Sequence, residues 1–251
     1  MLAVFAPKLG YFGALALLGI QGVTWSCRQS AQKKQGVGDE IRRRGLLLDA
    51  LGPFDQSYDL TELMRKAGTS ASERALTKTN SGYYASDAKD GLVRLRDHLR
   101  ENSFWNRCLY LEASKRGKNI LWAIGIAFAL TLFLTIALAS SQDAVVTATR
   151  VFILALTFLL AYTFVVDVQA WANASTAIEA LERQLDGIKN LGENSLRTTN
   201  LDQMMTILSE YAVATSKIAP IPPVIYLKHR DNLNKLWNER EARPIAPRHD
   251  S

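Results

Sequence analysis

Three histidines and two cysteines are the side chains of this chain best able to bind a metal or act as a nucleophile. They are His98, His229, His249, Cys27 and Cys108. No histidine stands in a cysteine or carboxylate pattern with metal-ligand spacing, and neither cysteine has a CxxC partner. One disulfide could join the two cysteines, but we interpret each cysteine as a small apolar residue in a reducing compartment. The sequence therefore predicts no metal site, no cofactor and no catalytic residue.

Motifs for enzymes and nucleotide-binding loops are also missing from the sequence. None of GxxxxGKS/T, GxSxG, HExxH and GxGxxG occurs. The paired acids Asp39 and Glu40 stand beside arginines and are typical of charge pairs on a helix. A double-stranded DNA partner is not expected, because no binding motif or aromatic interleaving accompanies the basic residues. The chain is therefore predicted not to be an enzyme.

Two long apolar runs are the main elements available to position functional side chains. Residues 120–139 carry no charge and are long enough to cross a hydrocarbon core of ~30 Å at a rise of about 1.5 Å per residue. Residues 145–166 carry only Arg150, near the start, where its side chain can reach the membrane interface. The short connection makes the two helices antiparallel neighbours. These runs predict a transmembrane hairpin, and a hairpin buried in a water-soluble core is the alternative.

A third apolar segment lies at the N-terminus. Residues 9–25 predict a membrane-embedded helix, and a cleaved signal peptide is disfavoured because the positive charges follow the apolar run. Residues 28–118 carry eighteen lysines and arginines, whereas residues 140–150 carry only Arg150. The positive-inside rule therefore places 28–118 and the C-terminal region in the cytoplasm.

The predicted fold is all-α, an integral membrane helical protein with helical cytoplasmic regions. The helix of the second run is expected to continue beyond it, and further helices are predicted near 201–219 and 225–243, separated by three prolines. The predicted segments are an N-terminal membrane helix (1–27), a cytoplasmic helical region with an interfacial elbow (28–118), the transmembrane hairpin (119–168), a C-terminal cytoplasmic helical region (169–243) and a mobile tail (244–251).

Three sets of residues are candidates for function. The first set has hydroxyls that either join helices or line a pore in an oligomer: Thr131, Thr135, Thr157 and Tyr162. The second set is basic and aromatic and suits a lipid interface, or a solvated basic face near one: Arg42, Arg43, Arg44, Trp105, Lys115, Arg116, Lys118 and Trp122. The third set has heptad-like spacing and forms either an oligomer seam or a face docked on the chain's own helices: Trp171, Ile178, Leu181, Leu185 and Ile188.

Four short stretches carry a family resemblance. They are RRGLLLDALG (43–52), GYYAS (82–86), ENSFW (101–105) and PIPPVIY (220–226). With the hairpin between the third and the fourth, the chain resembles the bacterial four-transmembrane effectors associated with nucleotidyltransferase (CBASS-like) anti-phage systems, and the related two-transmembrane SLATT-like effectors. The group usually has four spans, whereas three are counted here.

The resemblance implies an effector that oligomerises in the bacterial inner membrane as a multi-pass protein. A nucleotide-type signal would then make it open a pore or disrupt the bilayer in anti-phage defence. The implied partners are the lipid bilayer, further copies of the chain, and a nucleotide or oligonucleotide second messenger or its synthase. A non-conducting membrane scaffold or partner-binding subunit is the alternative, and a membrane enzyme is the least expected function.

Overall fold

The computed structural model describes residues 2–52, 65, 86, 88–89, 91–138, 144–190, 201–216 and 218–242. Within the helices, the side chains of 2–18, 131–132, 134–138, 144–163 and 189–190 lie outside the description. Five helices make up the described elements: α1 (Leu2–Leu51), α2 (Leu92–Leu138), α3 (Ala144–Asn190), α4 (Leu201–Thr215) and α5 (Pro223–Glu241). The all-helical part of the predicted fold is confirmed.

Local sequence accounts for several helix ends. Gly52 follows α1 with a φ of 76° and donates its N–H to the carbonyl of Leu48 at 3.0 Å, which is the left-handed ending that glycine favours. Pro223 opens α5, where a proline costs no helical hydrogen bond and its fixed φ suits the first turn. Asp202 lies in the first turn of α4, where its charge complements the helix dipole.

Among the described residues, no helix combines the length and apolar content that a membrane crossing requires. This finding corrects the prediction of an integral membrane fold with a hairpin over 119–168 and a membrane helix over 1–27. A crossing needs about 20 consecutive apolar residues. No helix offers such a run where the structure describes side chains. The membrane-spanning part of the predicted fold is therefore wrong.

The chain divides into two compact units. Unit 1 comprises Met1–Ala31 and Ala113–Ala170, and unit 2 comprises Gln32–Glu112 and Trp171–Ser251. In unit 1, α2 and α3 approach closely where Gly117 faces Val168, because a Cβ on this glycine would overlap Cγ2 of the valine and lie 3.3 Å from its Cγ1. An ion pair between Arg28 and Asp167 joins α1 to α3.

The core of unit 2 is built from side chains of all five helices. Its fully or nearly buried apolar members include Leu46, Ala50, Leu95, Leu99, Ile178, Leu185, Met204, Leu208, Ile225 and Trp237. Phe104 of α2 and Trp237 of α5 pack with ring centroids 5.4 Å apart. The indole N–H of Trp171 donates to the carbonyl of Ala219 at 2.8 Å, which ties the start of the α3 portion to the segment before α5.

Candidate binding site

Two cavities in unit 2 share a polar wall made by α1 and α2. Their volumes are about 530 and 470 Å³. The shared wall consists of Gln35, Asp39 and Arg42 on α1 and Asn102, Asn106 and Tyr110 on α2. Each triplet is spaced three or four residues apart, and helical periodicity therefore brings its members to one face. The first cavity is closed by α4, and the second by the segment before α5 and by α5 itself.

Hydrogen bonds fix two amides of this wall. Gln35 donates its side-chain N–H to the carbonyl of Ile218 at 2.7 Å. Asn106 donates to the hydroxyl of Tyr211 on α4. Since both bonds use amide N–H groups, the amide oxygens of Gln35 and Asn106 remain acceptors at the wall.

The titration of two neighbouring groups follows from their burial. Burial raises the pKa of Asp39, against the opposing charge of Arg42. Burial also raises the pKa of Tyr110 to about 12, and the negative charge of Asp39 adds to this shift. Tyr110 is therefore a neutral hydroxyl at ordinary pH, suited to hydrogen bonding.

The predicted basic cluster on α1 separates into paired and unpaired arginines. Glu40 accepts from Arg43 at 2.8 Å and from Arg44 at 2.7 Å. Burial alone would raise the pKa of Glu40, but the hydrogen bonds and charges of these two arginines lower it. Arg42 makes no hydrogen bond or ion pair with the described residues and lines both cavities. Arg42 is therefore the guanidinium of this cluster that a bound group could engage.

Trp105, predicted to lie at a lipid interface, lines the second cavity. Its ring centroid lies 6.2 Å from that of Tyr226 on α5, with an interplanar angle of 36°. Tyr226 is exposed and lines the same cavity. The pair therefore gives this cavity an aromatic wall.

Unit 1 presents a different kind of surface. The predicted interface residues Lys115, Arg116 and Lys118, here called the basic run, are all exposed. Further along α2, four large apolar side chains spaced four, four and three residues apart form one exposed face, here called the α2 stripe: Trp122 (74% exposed), Ile126 (58%), Leu130 (58%) and Phe133 (69%). On α1, Ile20, Val23 and Trp25 are also exposed.

The predicted oligomer seam lies inside unit 2. All five of its members, Trp171, Ile178, Leu181, Leu185 and Ile188, are buried within the chain, which is the second of the two alternatives that their spacing left open. The hydroxyl set of Thr131, Thr135, Thr157 and Tyr162 falls on side chains outside the described residues. The predicted mobile tail, 244–251, falls outside them as well.

His98, Cys27 and Cys108 belong to no metal-binding group within the described residues. His98 is fully buried, with Nε2 lying 3.4 Å from a carboxylate oxygen of Asp49, and burial lowers its pKa against the attraction of that carboxylate. Cys27 and Cys108 are free thiols. In the described part of the chain, no three histidine, cysteine or acidic side chains lie close enough together to hold a metal ion.

A buried charge cluster in unit 2 had no counterpart in the sequence interpretation. Glu182 on α3 accepts from Arg107 of α2 at 2.6 Å and from Arg240 of α5. One turn later, Asp186 accepts from Arg100 of α2 at 2.9 Å and from Arg240. This cluster ties three helices together. The acids are four residues apart on α3, a spacing that indicates a shared face but not the arginines that reach it.

The cavity wall was likewise missed, although one signal was present. Asn102, Asn106 and Tyr110 repeat every four residues along α2 and so form a polar row on one side of the helix. No protein-family model, no curated protein and no solved structure matches this chain. The resemblance to bacterial membrane effectors therefore stays a prediction.

Proposed function

We propose that this chain is a partner-binding scaffold that attaches to an anionic lipid surface through unit 1. The observation that carries the proposal is the order of exposed side chains along α2. The basic run comes first, Trp122 follows it, and the rest of the α2 stripe comes after. Lysine and arginine beside lipid phosphates, tryptophan at the head-group level and aliphatic residues below it are the arrangement found where helices meet a bilayer surface.

The α2 stripe is the apolar part of this surface, and burying it would be energetically favourable. Four large apolar side chains on one helix face, each more than half exposed, form a continuous patch of the kind that marks interaction surfaces. Ile20, Val23 and Trp25 add exposed apolar area on α1. Burying a side chain of this size gains about 1.5–3 kcal/mol, so the α2 stripe alone supports substantial binding.

The basic run determines which kind of surface binds the α2 stripe. Each lysine or arginine near an anionic lipid surface contributes about 1 kcal/mol. The three members of the basic run therefore favour an anionic over a neutral bilayer by about 3 kcal/mol, or roughly 100-fold. A purely apolar protein partner would gain nothing from these charges.

The sequence left two functions open, a pore and a membrane scaffold. Because a pore requires helices that cross the bilayer, we propose the scaffold. Unit 2, with its cavities and its exposed α5 surface, is the part proposed to meet other partners. Several expectations stay predictions: the bacterial inner-membrane location with 28–118 and the C-terminus cytoplasmic, the homo-oligomer, the nucleotide second messenger or its synthase, the defence role and the absence of enzymatic activity.

Vesicle flotation of the full-length protein tests the proposal. Vesicles of phosphatidylcholine are compared with vesicles that also contain phosphatidylglycerol, at low and high salt. Binding is expected to be roughly 100-fold tighter to the anionic vesicles and to weaken with salt, since screening shortens the reach of exposed charges to about 10 Å at 0.1 M. Protein that stays unbound with the anionic vesicles at low salt would refute the proposal.

Matched variants distinguish binding through this surface from non-specific binding of the protein to vesicles. Replacing Lys115, Arg116 and Lys118 by glutamine should weaken binding by roughly 100-fold. The control replaces Arg183, Lys228 and Lys235, which are exposed basic residues of unit 2, by glutamine and changes the net charge equally. The control should bind nearly as well as the parent. Equal losses in both triple variants would contradict a role for the basic run.

The apolar arm of the test uses two serine pairs. Trp122→Ser with Phe133→Ser should abolish the binding that survives high salt. Val213→Ser with Leu227→Ser, which alters exposed apolar residues of unit 2, should leave it intact. All four side chains are exposed, so none of the substitutions is expected to unfold the protein.

A further inference from the structure

The second cavity of unit 2 combines an aromatic wall with the guanidinium of Arg42, which makes no hydrogen bond or ion pair with the residues that the structure describes. From this geometry we infer that the cavity is a binding site for a small aromatic oxyanion, a free molecule with one planar ring and one phosphate or carboxylate group. The ring lies against Trp105 and Tyr226, and the oxyanion engages Arg42. This inference is independent of lipid attachment through unit 1.

The size of the cavity fits such a ligand. Its volume of about 470 Å³ lies within the range of about 300–1,000 Å³ typical of small-molecule pockets. Its lining is mixed and contains aromatic and aliphatic side chains as well as amides and charged groups. A molecule with a flat apolar ring and one polar group matches this composition.

The aromatic wall favours a planar ring over a saturated one. Trp105 and Tyr226 are tilted by 36° with centroids 6.2 Å apart, so the two rings are not stacked face to face. A third ring can therefore meet either of them in an offset or edge-to-face contact. A saturated ring of the same size would keep the area contact but lose this geometry.

The two arginines of the cavity lining are the groups that an anion would meet. Arg42 makes no hydrogen bond or ion pair within the described residues, so its planar fork is available for a bidentate contact with an oxyanion. Arg230 also lines the cavity, and its partner Asp231 forms only an exposed pair with it. Of the two acids in the lining, Glu101 is already engaged by another residue. Asp39 is half-buried one turn before Arg42, interacts electrostatically with that arginine, and remains an acceptor for a ligand N–H or O–H.

Isothermal titration of the full-length protein with phenyl phosphate tests the inference. Benzoate carries the other oxyanion on the same ring, cyclohexyl phosphate keeps the charge without the aromatic ring, and benzyl alcohol keeps the ring without the charge. Phenyl phosphate or benzoate should bind most tightly. Cyclohexyl phosphate should bind about threefold to tenfold more weakly than phenyl phosphate. Benzyl alcohol should lose roughly tenfold or more, because the charged hydrogen bonds to Arg42 are absent.

Variants assign the binding to this cavity. Arg42→Gln should weaken phenyl phosphate binding by roughly tenfold to 100-fold. The matched control is Arg43→Gln, since Arg43 is adjacent, is paired with Glu40 and lines only the first cavity. It should leave the affinity unchanged. Trp105→Leu should cost about threefold to tenfold, whereas Trp105→Phe keeps a ring and should retain most of the affinity.

Three results would overturn the inference. The first is equal affinity for phenyl phosphate and cyclohexyl phosphate. The second is tighter binding of benzylamine, the cationic counterpart, than of phenyl phosphate. The third is an unchanged affinity in Arg42→Gln; because Arg42 is exposed and unpaired among the described residues, circular dichroism of this variant should match the parent.

Discussion

Removing the carboxylate of Glu182 should be among the most damaging single changes in unit 2. This side chain is 6% exposed and accepts hydrogen bonds from Arg107 and Arg240, which come from two different helices. Glu182→Ala deletes both ion pairs and leaves two guanidinium groups without this partner. Asp186 still holds Arg240, but within the described residues Arg107 forms no second ion pair and meets only the more distant charge of Glu179.

The expected magnitude follows from the burial of the three groups. Removing one partner of a buried ion pair costs about 3–5 kcal/mol, mainly because the remaining charge is left desolvated. Both arginines are partly exposed and can regain some water, so the loss should lie near about 3 kcal/mol. A domain is usually stable by only about 5–15 kcal/mol, and such a loss would therefore be plain in any unfolding curve.

Glu179 provides the matched control on the same helix. It lies one turn before Glu182, and it is paired with Arg183, which is exposed. Exposed ion pairs contribute little because water and salt screen them, so Glu179→Ala should not change stability measurably. Glu182→Gln keeps the shape and one acceptor and should fall between the parent and Glu182→Ala.

Urea unfolding of the full-length protein, followed by far-ultraviolet circular dichroism, measures these differences. A double-mutant cycle with Arg107→Ala should return a coupling free energy of about 0.5–3 kcal/mol. Equal stability of Glu182→Ala and Glu179→Ala would refute the reasoning. A zero coupling energy with Arg107 would show that the loss comes from packing rather than from the ion pair.

Two further predictions concern a close helix approach and a buried histidine. Gly117→Ala should destabilise unit 1 by about 1–3 kcal/mol through overlap with Val168, and Val168→Ala in the same chain should offset part of that loss. Gly45→Ala, whose new Cβ meets nothing within 4 Å, should instead stabilise α1 by about 0.5–1 kcal/mol, and thermal unfolding of the two variants checks the opposite signs. Burial lowers the pKa of His98 in the folded state, so the unfolded chain takes up its proton first as the pH falls below about 6.5. The contribution of His98 to the free energy of unfolding should therefore be complete near pH 7.5 and decline towards pH 5.5. The decline should be at most about 1.4 kcal/mol per pH unit. His98→Gln should remove this contribution to the pH dependence of stability.

The error over the membrane hairpin has a physical cause. An uncharged stretch identifies a segment that avoids water, but the same stretch serves a bilayer crossing, a buried packing surface or a docking face. The order of the basic run, Trp122 and the α2 stripe is local, and the sequence indicated its composition without indicating whether it would cross a bilayer or lie exposed on a helix. None of the described helices meets the requirement for a membrane crossing, and the α2 stripe is an exposed apolar face.

Local sequence determined most of the helices of this protein. It predicted that α3 would continue past the second apolar run, that a helix would begin at Leu201 and that the prolines before α5 would separate it from α4, since periodicity and proline act within a few residues. Only the tertiary structure decided which faces meet. The periodic face of Trp171 and Ile178 required a partner, but whether another copy or the chain's own core supplied it depended on long-range packing. The cavity wall joins Arg42 to Asn102 across 60 positions, and no local rule links helices so far apart.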